Sequence, residues 1–557
     1  MNYTFYARLL CSGVALLVAL GVRAQVPAFA WAVGAEAPTT YDQQAQNRAI
    51  ATDAAGNTYV TGIFRKTMTL GNITLTAEND YDLFVASLDP AGHYRWAVRA
   101  GGNDWDISNG LALDAAGNVY ITGYFESSTA RFGTITLNQP GVGANLFVAK
   151  LSPTGVWLQA TAPTLSAGQS SNSFLYLIGT ALTVDVGGNV YVTGGFNGGP
   201  QFGSTTLSCY GGYKGFVAKL TPAGTWEWAV AGGGCGYDFG QSIAVDAAGS
   251  AYVTGSFEGY TATFGTTVLT RAGFSKDLFV ARLDPAGRWQ WATHATAATA
   301  AYGRGIVLDP AGNAYVTGAV AGQQVRLGSL ALNSTDNSYD LFVAKLTPAG
   351  AWQWAVRGGS PQADAGAGLV RDASGELTVA GSFSQTASFG QLPALTAVGK
   401  ADLVVTRLGS DGSWHWALGG GSTGDDHVAG VALGSDGTAC IAGSFESPSL
   451  VLGPSTVPGG TKYYDYYADR GFVSSVADIA RRSPVGVFNL WPNPSTGTVW
   501  ATGMAEGQPV EVFDCLGRRV AVDARPVFEA SGLILPPLAP GVYVVRSGSQ
   551  TQRLVRQ

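Results

Sequence analysis

One phrase returns seven times along the 557 residues and restricts the folds open to the chain. It reads Tyr59-Val-Thr-Gly62, Tyr120-Ile-Thr-Gly123, Tyr191-Val-Thr-Gly194, Tyr252-Val-Thr-Gly255, Tyr315-Val-Thr-Gly318, Thr378-Val-Ala-Gly381 and Cys440-Ile-Ala-Gly443, with its glycines 61, 71, 61, 63, 63 and 62 residues apart. A near-constant period of that length marks one supersecondary unit repeated along the chain. Before each phrase comes an apolar stretch and a turn, as in Leu111-Ala-Leu-Asp114-Ala-Ala-Gly117-Asn118, where Gly and Asn suit the positive φ of a tight hairpin. These segments are strands A and B. Strand C is the run resembling Asp-Leu-Phe-Val-Ala-Lys-Leu that follows, at 83–88, 146–151, 216–220, 278–283, 341–346, 403–408 and 472–476. A Pro-x-Gly turn then leads to strand D, with the alternating aromatics Tyr94/Trp96, Trp226/Trp228, Trp289/Trp291, Trp352/Trp354 and Trp414/Trp416, and Trp157 alone in the second unit.

Four antiparallel strands per unit, repeated around an axis, predict an all-β chain: a seven-bladed β-propeller of four-stranded antiparallel blades over 25–480. Only six D strands follow a C strand, because the seventh unit runs out after Val476. Phe29-Ala-Trp31-Ala-Val33 carries the D pattern ahead of the first A strand, so the N-terminal strand is expected to complete the seventh blade and close the ring. Closure removes exposed strand edges. The 77 glycines, 24 prolines and a charged fraction of only 13% agree with many short strands and tight turns rather than disorder.

Arg8, an apolar run from Gly13 to Val22, and small residues at Val22 and Ala24 predict a cleavable signal peptide over 1–24. Cys11 precedes that run, which argues against lipidation. No later stretch approaches the roughly 20 apolar residues of a transmembrane helix, so no membrane-spanning segment is expected in the mature chain. Cleavage removes Arg8 and Arg23 and no acid, taking the net charge from −6 to −8. An acidic chain without a Lys/Arg block gives no case for nucleic acid. Export permits disulfides. Cys209 and Cys235 lie within one repeat and are a candidate pair, left open because sequence proximity does not set the Cα separation. Cys440 stands where other repeats have tyrosine and is expected as a buried thiol.

The repeats resemble the bacterial β-propeller repeat family, most fully at Asp238 to Gly255 with Asp277 to Leu283. The resemblance covers about 25–480; it implies the fold and leaves the activity open. Beyond a linker at 481–488, residues 489–557 resemble the C-terminal sorting domain of type IX secretion. The matching residues are Trp491-Pro492-Asn493-Pro494-Ser495 with Gly497, then Asp514 with Leu516-Gly517-Arg518, then Leu535, Leu538 and Pro540-Gly541-Val542-Tyr543, and finally Arg553 to Arg556. That resemblance implies a small C-terminal β-sandwich, the type IX secretion machinery as partner, and a final place that is secreted or attached to the outer surface.

Catalytic chemistry is poorly represented. His93, His294, His415 and His427 lack metal-ligand spacing, and there is no P-loop, dinucleotide fingerprint or Gly-x-Ser-x-Gly elbow, so neither metal nor cofactor is expected. Asp106, Asp238, Asp364 and Asp426 recur at one position before the A strands and would lie near the mouth of a central channel. Either they face a ligand together or each caps its own turn. The B-to-C and D-to-A connections vary in length and share one face, where binding residues usually sit. Tyr463, Tyr464, Tyr466 and Tyr467 fall there and suit a glycan or protein ligand. The leading expectation is a monomeric, non-enzymatic binding protein. The alternatives are a secreted carbohydrate-active enzyme using acids at the channel mouth, and a structural or adhesive surface component.

Overall fold

In the computed structural model of the chain the first six repeats each fold as four antiparallel strands, and the last supplies three. The structure describes residues 27–35, 44–166 and 174–459, apart from 274, 298 and 333–336. Beyond 459 it describes residue 518 and the strands named below. The signal peptide expected at 1–24 and the linker at 481–488 lie outside the described residues. The described residues are all-β, and no helix among them is long and apolar enough to cross a membrane.

The fourth unit shows the pattern: strands A to D are Phe239–Val245, Ala251–Phe257, Asp277–Leu283 and Trp289–Thr296, paired in that order. The A strands of the other units are Ala45–Thr52, Asp106–Leu113, Phe174–Val184, Ala300–Leu308, Ala365–Arg371 and Asp426–Leu433. Each lies beside the A strands of the units before and after it, and Asp426–Leu433 lies beside Ala45–Thr52. The N-terminal segment Ala28–Gly34 pairs antiparallel with Arg470–Ala477, the C strand of the last unit. The chain is thus an all-β repeat protein of the propeller type.

The repeated phrase is explained by how units meet. Its threonine is buried and donates to a carbonyl of strand C within the unit, Thr254 to Phe279 at 2.9 Å and Thr193 to Phe216 at 2.7 Å. Its tyrosine packs edge-on against the second aromatic of strand D, with Tyr191 and Trp228 centroids 6.0 Å apart. That indole nitrogen then donates to the Pro-x-Gly turn of the following unit: Trp96 to Pro153 O at 3.0 Å, Trp291 to Pro348 O at 2.9 Å. Trp31 makes the same bond to Pro90 O at 3.1 Å, so the N-terminal strand meets the first unit as any D strand meets its successor. Gly92, at φ 89°, lies under the Trp31 ring, where a β-carbon would collide with the indole. The apolar core accordingly runs between neighbouring units. One cluster joins Tyr191 and Val217 of the third unit to Val253, Phe264 and Leu283 of the fourth.

Two expectations are corrected. In the hairpin turns only the glycine takes positive φ, as Gly117 at 78° does, while Asn118 donates Nδ2 to Asp114 Oδ2 at 2.8 Å. The B-to-C connections are also not free loops. Several carry a hairpin of their own, such as Thr261–Phe264 with Thr267–Thr270, and Gly233 on the preceding unit's D strand pairs with Thr263. Alternation buries Ala262 and Phe264 while Thr261 and Thr263 face out, and the Phe264 ring lies 5.0 Å from Trp289. The hairpin covers the outer edge strand, a use of chain that protects against edge-to-edge association.

The glycine of the phrase is the most constrained position. In all seven units a β-carbon there would overlap a carbonyl oxygen of strand A, Gly255 against Phe239 and Gly62 against Gln46 among them. Gly255→Ala must displace backbone rather than a flexible side chain, so a loss of about 2 to 3 kcal/mol is expected in urea denaturation. A loss within about 0.5 kcal/mol, the range of an ordinary surface substitution, would contradict the packing described.

Candidate ligand-binding funnel

Next to the carbonyl that the phrase glycine approaches, strand A carries a β-bulge. In every unit the register slips by one residue at the same place, between Asn47 and Ala49 in the first and between Gly303 and Gly305 in the fifth. A bulge re-aims the extra residue. The residues thrown out are Arg48, Asn109, Thr180, Gln241, Arg304, Ala367 and Ala429, and all seven line one cavity of about 860 Å³ at the centre of the A strands. Asn109 donates to the Gly179 carbonyl at 2.9 Å and Thr180 to that of Gly240, so two of the seven also tie neighbouring units. Arg48 and Arg304 are exposed.

The rim is completed by Gln46, Tyr302, Tyr339, Lys400, Asp425 and His427. Tyr302 and Tyr339 are 5.4 Å apart between centroids, and the Arg304 guanidinium lies 5.4 Å from the Tyr302 ring. Lys400 Nζ is 3.6 Å from Asp425 Oδ2.

The four recurrent aspartates occupy the expected end of the A strands, but their carboxylates are turned into the protein and none is more than 1% exposed. Asp106 accepts from Gly102 N at 2.6 Å and Ser127 Oγ at 2.7 Å. Asp238 accepts from Gly234 N at 2.5 Å and Glu258 N at 2.8 Å; Asp364 accepts from Ser360 N at 2.5 Å and Ser384 N at 2.8 Å. Asp426 accepts from Ser422 N at 2.5 Å and Ser422 Oγ at 2.6 Å. Each carboxylate therefore fixes its D-to-A loop, and those of Asp106, Asp238 and Asp364 also tie that loop to the start of the B-to-C connection, at Ser127, Glu258 and Ser384. Tyr463, Tyr466 and Tyr467 belong to the short hairpin Lys462–Tyr463 with Tyr466–Tyr467, with side chains outside the described residues, and Tyr464 lies outside them altogether. Cys209 is buried with Sγ 3.7 Å from Gly212 O, and the Cys235 side chain is outside the described residues. Cys440 is a buried thiol beside Thr58, and burial pushes it up to about 11.

Sequence reasoning missed the bulge residues because they differ in type from unit to unit, and only their constant offset from the phrase could have marked them. It also missed a second set of aspartates opening the C strands. Asp82 and Asp106 flank Gly101, where a β-carbon would overlap the first and crowd the second; Asp340 and Asp364 flank Gly359 in the same way. Arg99 binds Asp82 at 2.5 Å and Arg357 binds Asp340 at 3.0 Å. Tyr81 and Trp105 form a further aromatic pair, 5.2 Å apart, with Trp105 exposed.

No protein-family model matches the chain. It is 21% identical to an uncharacterized WD repeat-containing protein, L264, of Acanthamoeba polyphaga mimivirus, over 73% of this chain and 35% of that protein, so it spans about a third of that relative's length. Among solved structures it is similar to the Pan2 WD40 domain of Neurospora crassa, at 10% identity and a TM-score of 0.36 over 81% of this chain and 96% of that one. It is also similar to Sqt1 of Chaetomium thermophilum, at 10% identity and a TM-score of 0.33 over 79% and 99%.

The buried acids make stability depend on pH. Burial pushes Asp106 up to about 7, with the nearby Asp82 charge adding to the rise. Burial likewise raises Asp82, Asp364 and Asp426 to about 6 each. Folded-state values above the unfolded one mean that the folded protein holds more protons between about pH 4 and 7, so stability falls as pH rises across that window and levels off above it. The melting temperature is expected to be higher at pH 5 than at pH 8, with Asp106→Asn flattening the profile. A melting temperature that instead climbs from pH 5 to 8 would contradict these environments.

Proposed function

We propose that the chain is an exported seven-bladed β-propeller, closed by its own N-terminal strand, that binds a ligand in the central funnel without catalysing a reaction. The observation that carries this reading is the seven-fold bulge, which brings side chains of different chemistry from every unit to one cavity. Binding sites take this form: a rigid scaffold common to all units and a variable residue at each. The four recurrent aspartates that a glycosidase reading would use are bound to backbone amides and serine hydroxyls, and Asp425 at the funnel rim is paired with Lys400.

The C-terminal part is read as the sorting domain of type IX secretion, built as a small β-sandwich. Two four-stranded sheets support this. One contains Asn489–Trp491, Trp500–Thr502, Phe528–Glu529 and Gly532–Ile534; the other contains Val510–Asp514, Arg519–Val520, Gly541–Ser547 and Gln550–Arg556. Gly541 and Tyr543 of the sorting motif open the longest of these pairings, whereas Pro492, Asn493, Pro494, Gly517 and Pro540 lie outside the described residues. On this reading the protein crosses the outer membrane and is secreted or held at the surface.

Deleting residues 25–33 should leave the last C strand unpaired on its outer side, with broader thermal unfolding and concentration-dependent association by light scattering. An unchanged melt and a monodisperse monomer would refute closure by this strand. Removing 489–557 should retain the propeller in the periplasm; recovery of the truncated protein outside the cell would refute the sorting role. The binding reading is tested by screening the full chain against neutral and acidic polysaccharides and assaying hydrolysis of each. Turnover lost on substitution of a funnel residue would replace binding with catalysis.

A further inference from the structure

We infer that the ligand of the funnel is an acidic saccharide, with Arg304 and Arg48 receiving its carboxylates beside the Tyr302 and Tyr339 rings. This rests on the binding reading above and names its ligand class.

The chain is acidic overall, at −6, yet its funnel is not. Arg48, Arg304 and Lys400 line it against Asp425 and Asp364. Lys400 and Asp425 lie 3.6 Å apart and offset each other, and Asp364 directs its carboxylate at Ser360 and Ser384 amides. The guanidinium groups come from the first and fifth units, on different parts of the wall, and both are exposed. Guanidinium groups bind carboxylates through two parallel hydrogen bonds, and in a cleft of low dielectric surroundings their attraction is stronger than on an open surface.

The remainder of the lining favours sugar over peptide or nucleic acid. Gln241, Ser382, Ser384 and Ser444 offer an amide and hydroxyls, which match ring hydroxyls, while Asn47 Nδ2 is given to the Gly443 and Phe472 carbonyls and Gln46 Oε1 accepts from Arg48 at 2.9 Å; the apolar side chains are alanines and Val428. An acidic peptide would need deeper apolar pockets for anchor residues, which this lining lacks. A nucleic acid would call for cations along a phosphate track, where the funnel has only three Lys and Arg side chains. The Tyr302 ring lies beside Tyr339, with the Arg304 guanidinium 5.4 Å and Lys276 Nζ 5.2 Å from its centroid, so the carboxylate site is bordered by a cationic and aromatic surface. Because the bulges hold the side-chain origins in place, little backbone ordering accompanies binding.

The test uses the full-length protein and isothermal titration with oligogalacturonate, its methyl ester, neutral oligogalactan and poly-L-glutamate. The free acid should bind, with affinity falling as salt rises. Arg304→Gln should weaken it at least about tenfold without moving the melting temperature, and Arg304→Lys should recover only part of the loss. Equal affinity for the methyl ester, equal affinity for poly-L-glutamate, or affinity unaffected by both Arg304→Gln and Arg48→Gln would each overturn the inference. No binding of oligogalacturonate would overturn it as well. Binding of neutral oligogalactan that is lost in Tyr302→Ala would overturn the acidic class while leaving the funnel as the binding site.

Discussion

The architecture depends on one close approach, between the glycine of strand B and a carbonyl oxygen of strand A in the same unit. In the fourth unit it is Gly255 against Phe239, and the same meeting occurs in the other six. It has two consequences. Strand A can bulge by one residue without losing its partner, because Thr254-Gly255 spans Gly240, Gln241 and Ser242. The extra residue is then turned toward the centre, where it no longer serves the packing of its own blade. The residue with the least freedom to vary thus creates the residue with the most.

Around that core the units are joined by a repeated polar and aromatic link. The strand D indole donates to the next unit's turn, and the phrase tyrosine lies against that indole with its hydroxyl on an aspartate, as Tyr59 is on Asp53 at 3.0 Å. Where the sixth unit has Thr378 in place of tyrosine, Arg407 is buried there instead, paired with Asp372 and Glu376. The charge of a basic residue that elsewhere rests on a tyrosine ring, as Lys345 does at 5.1 Å from Tyr315, is here met by two acids. Such a substitution preserves the seam because a buried cation is tolerated only when paired.

The glycines, the Thr-Gly step, the Trp pairs and the Pro-x-Gly turns could be read from the sequence because each does the same work in most units. So could the role of Trp31, which carries the D pattern far from the strand it joins. The funnel could not be read in this way. Asp106, Asp238, Asp364 and Asp426 recur and therefore attracted attention, yet recurrence in a repeat marks what the fold needs in every unit, and they secure its loops. Arg48, Asn109, Thr180, Gln241, Arg304, Ala367 and Ala429 share no common type, so no pattern singled them out.

The sequence by itself determined the strand order, the repeat length and the residues that join one unit to the next, because these follow from local spacing and from chemistry repeated at a fixed period. Only the tertiary structure decided which way the carboxylates turn and which side chains meet. Arg48 and Arg304 are more than 250 residues apart in the chain, and bulges in different A strands bring them to one cavity. The buried aspartates turn inward because amide groups of the D-to-A loops would otherwise lack acceptors in a place closed to water. The cavity is encoded in no single repeat and arises where the A strands face one another, whereas each aspartate is turned inward by the connections next to it.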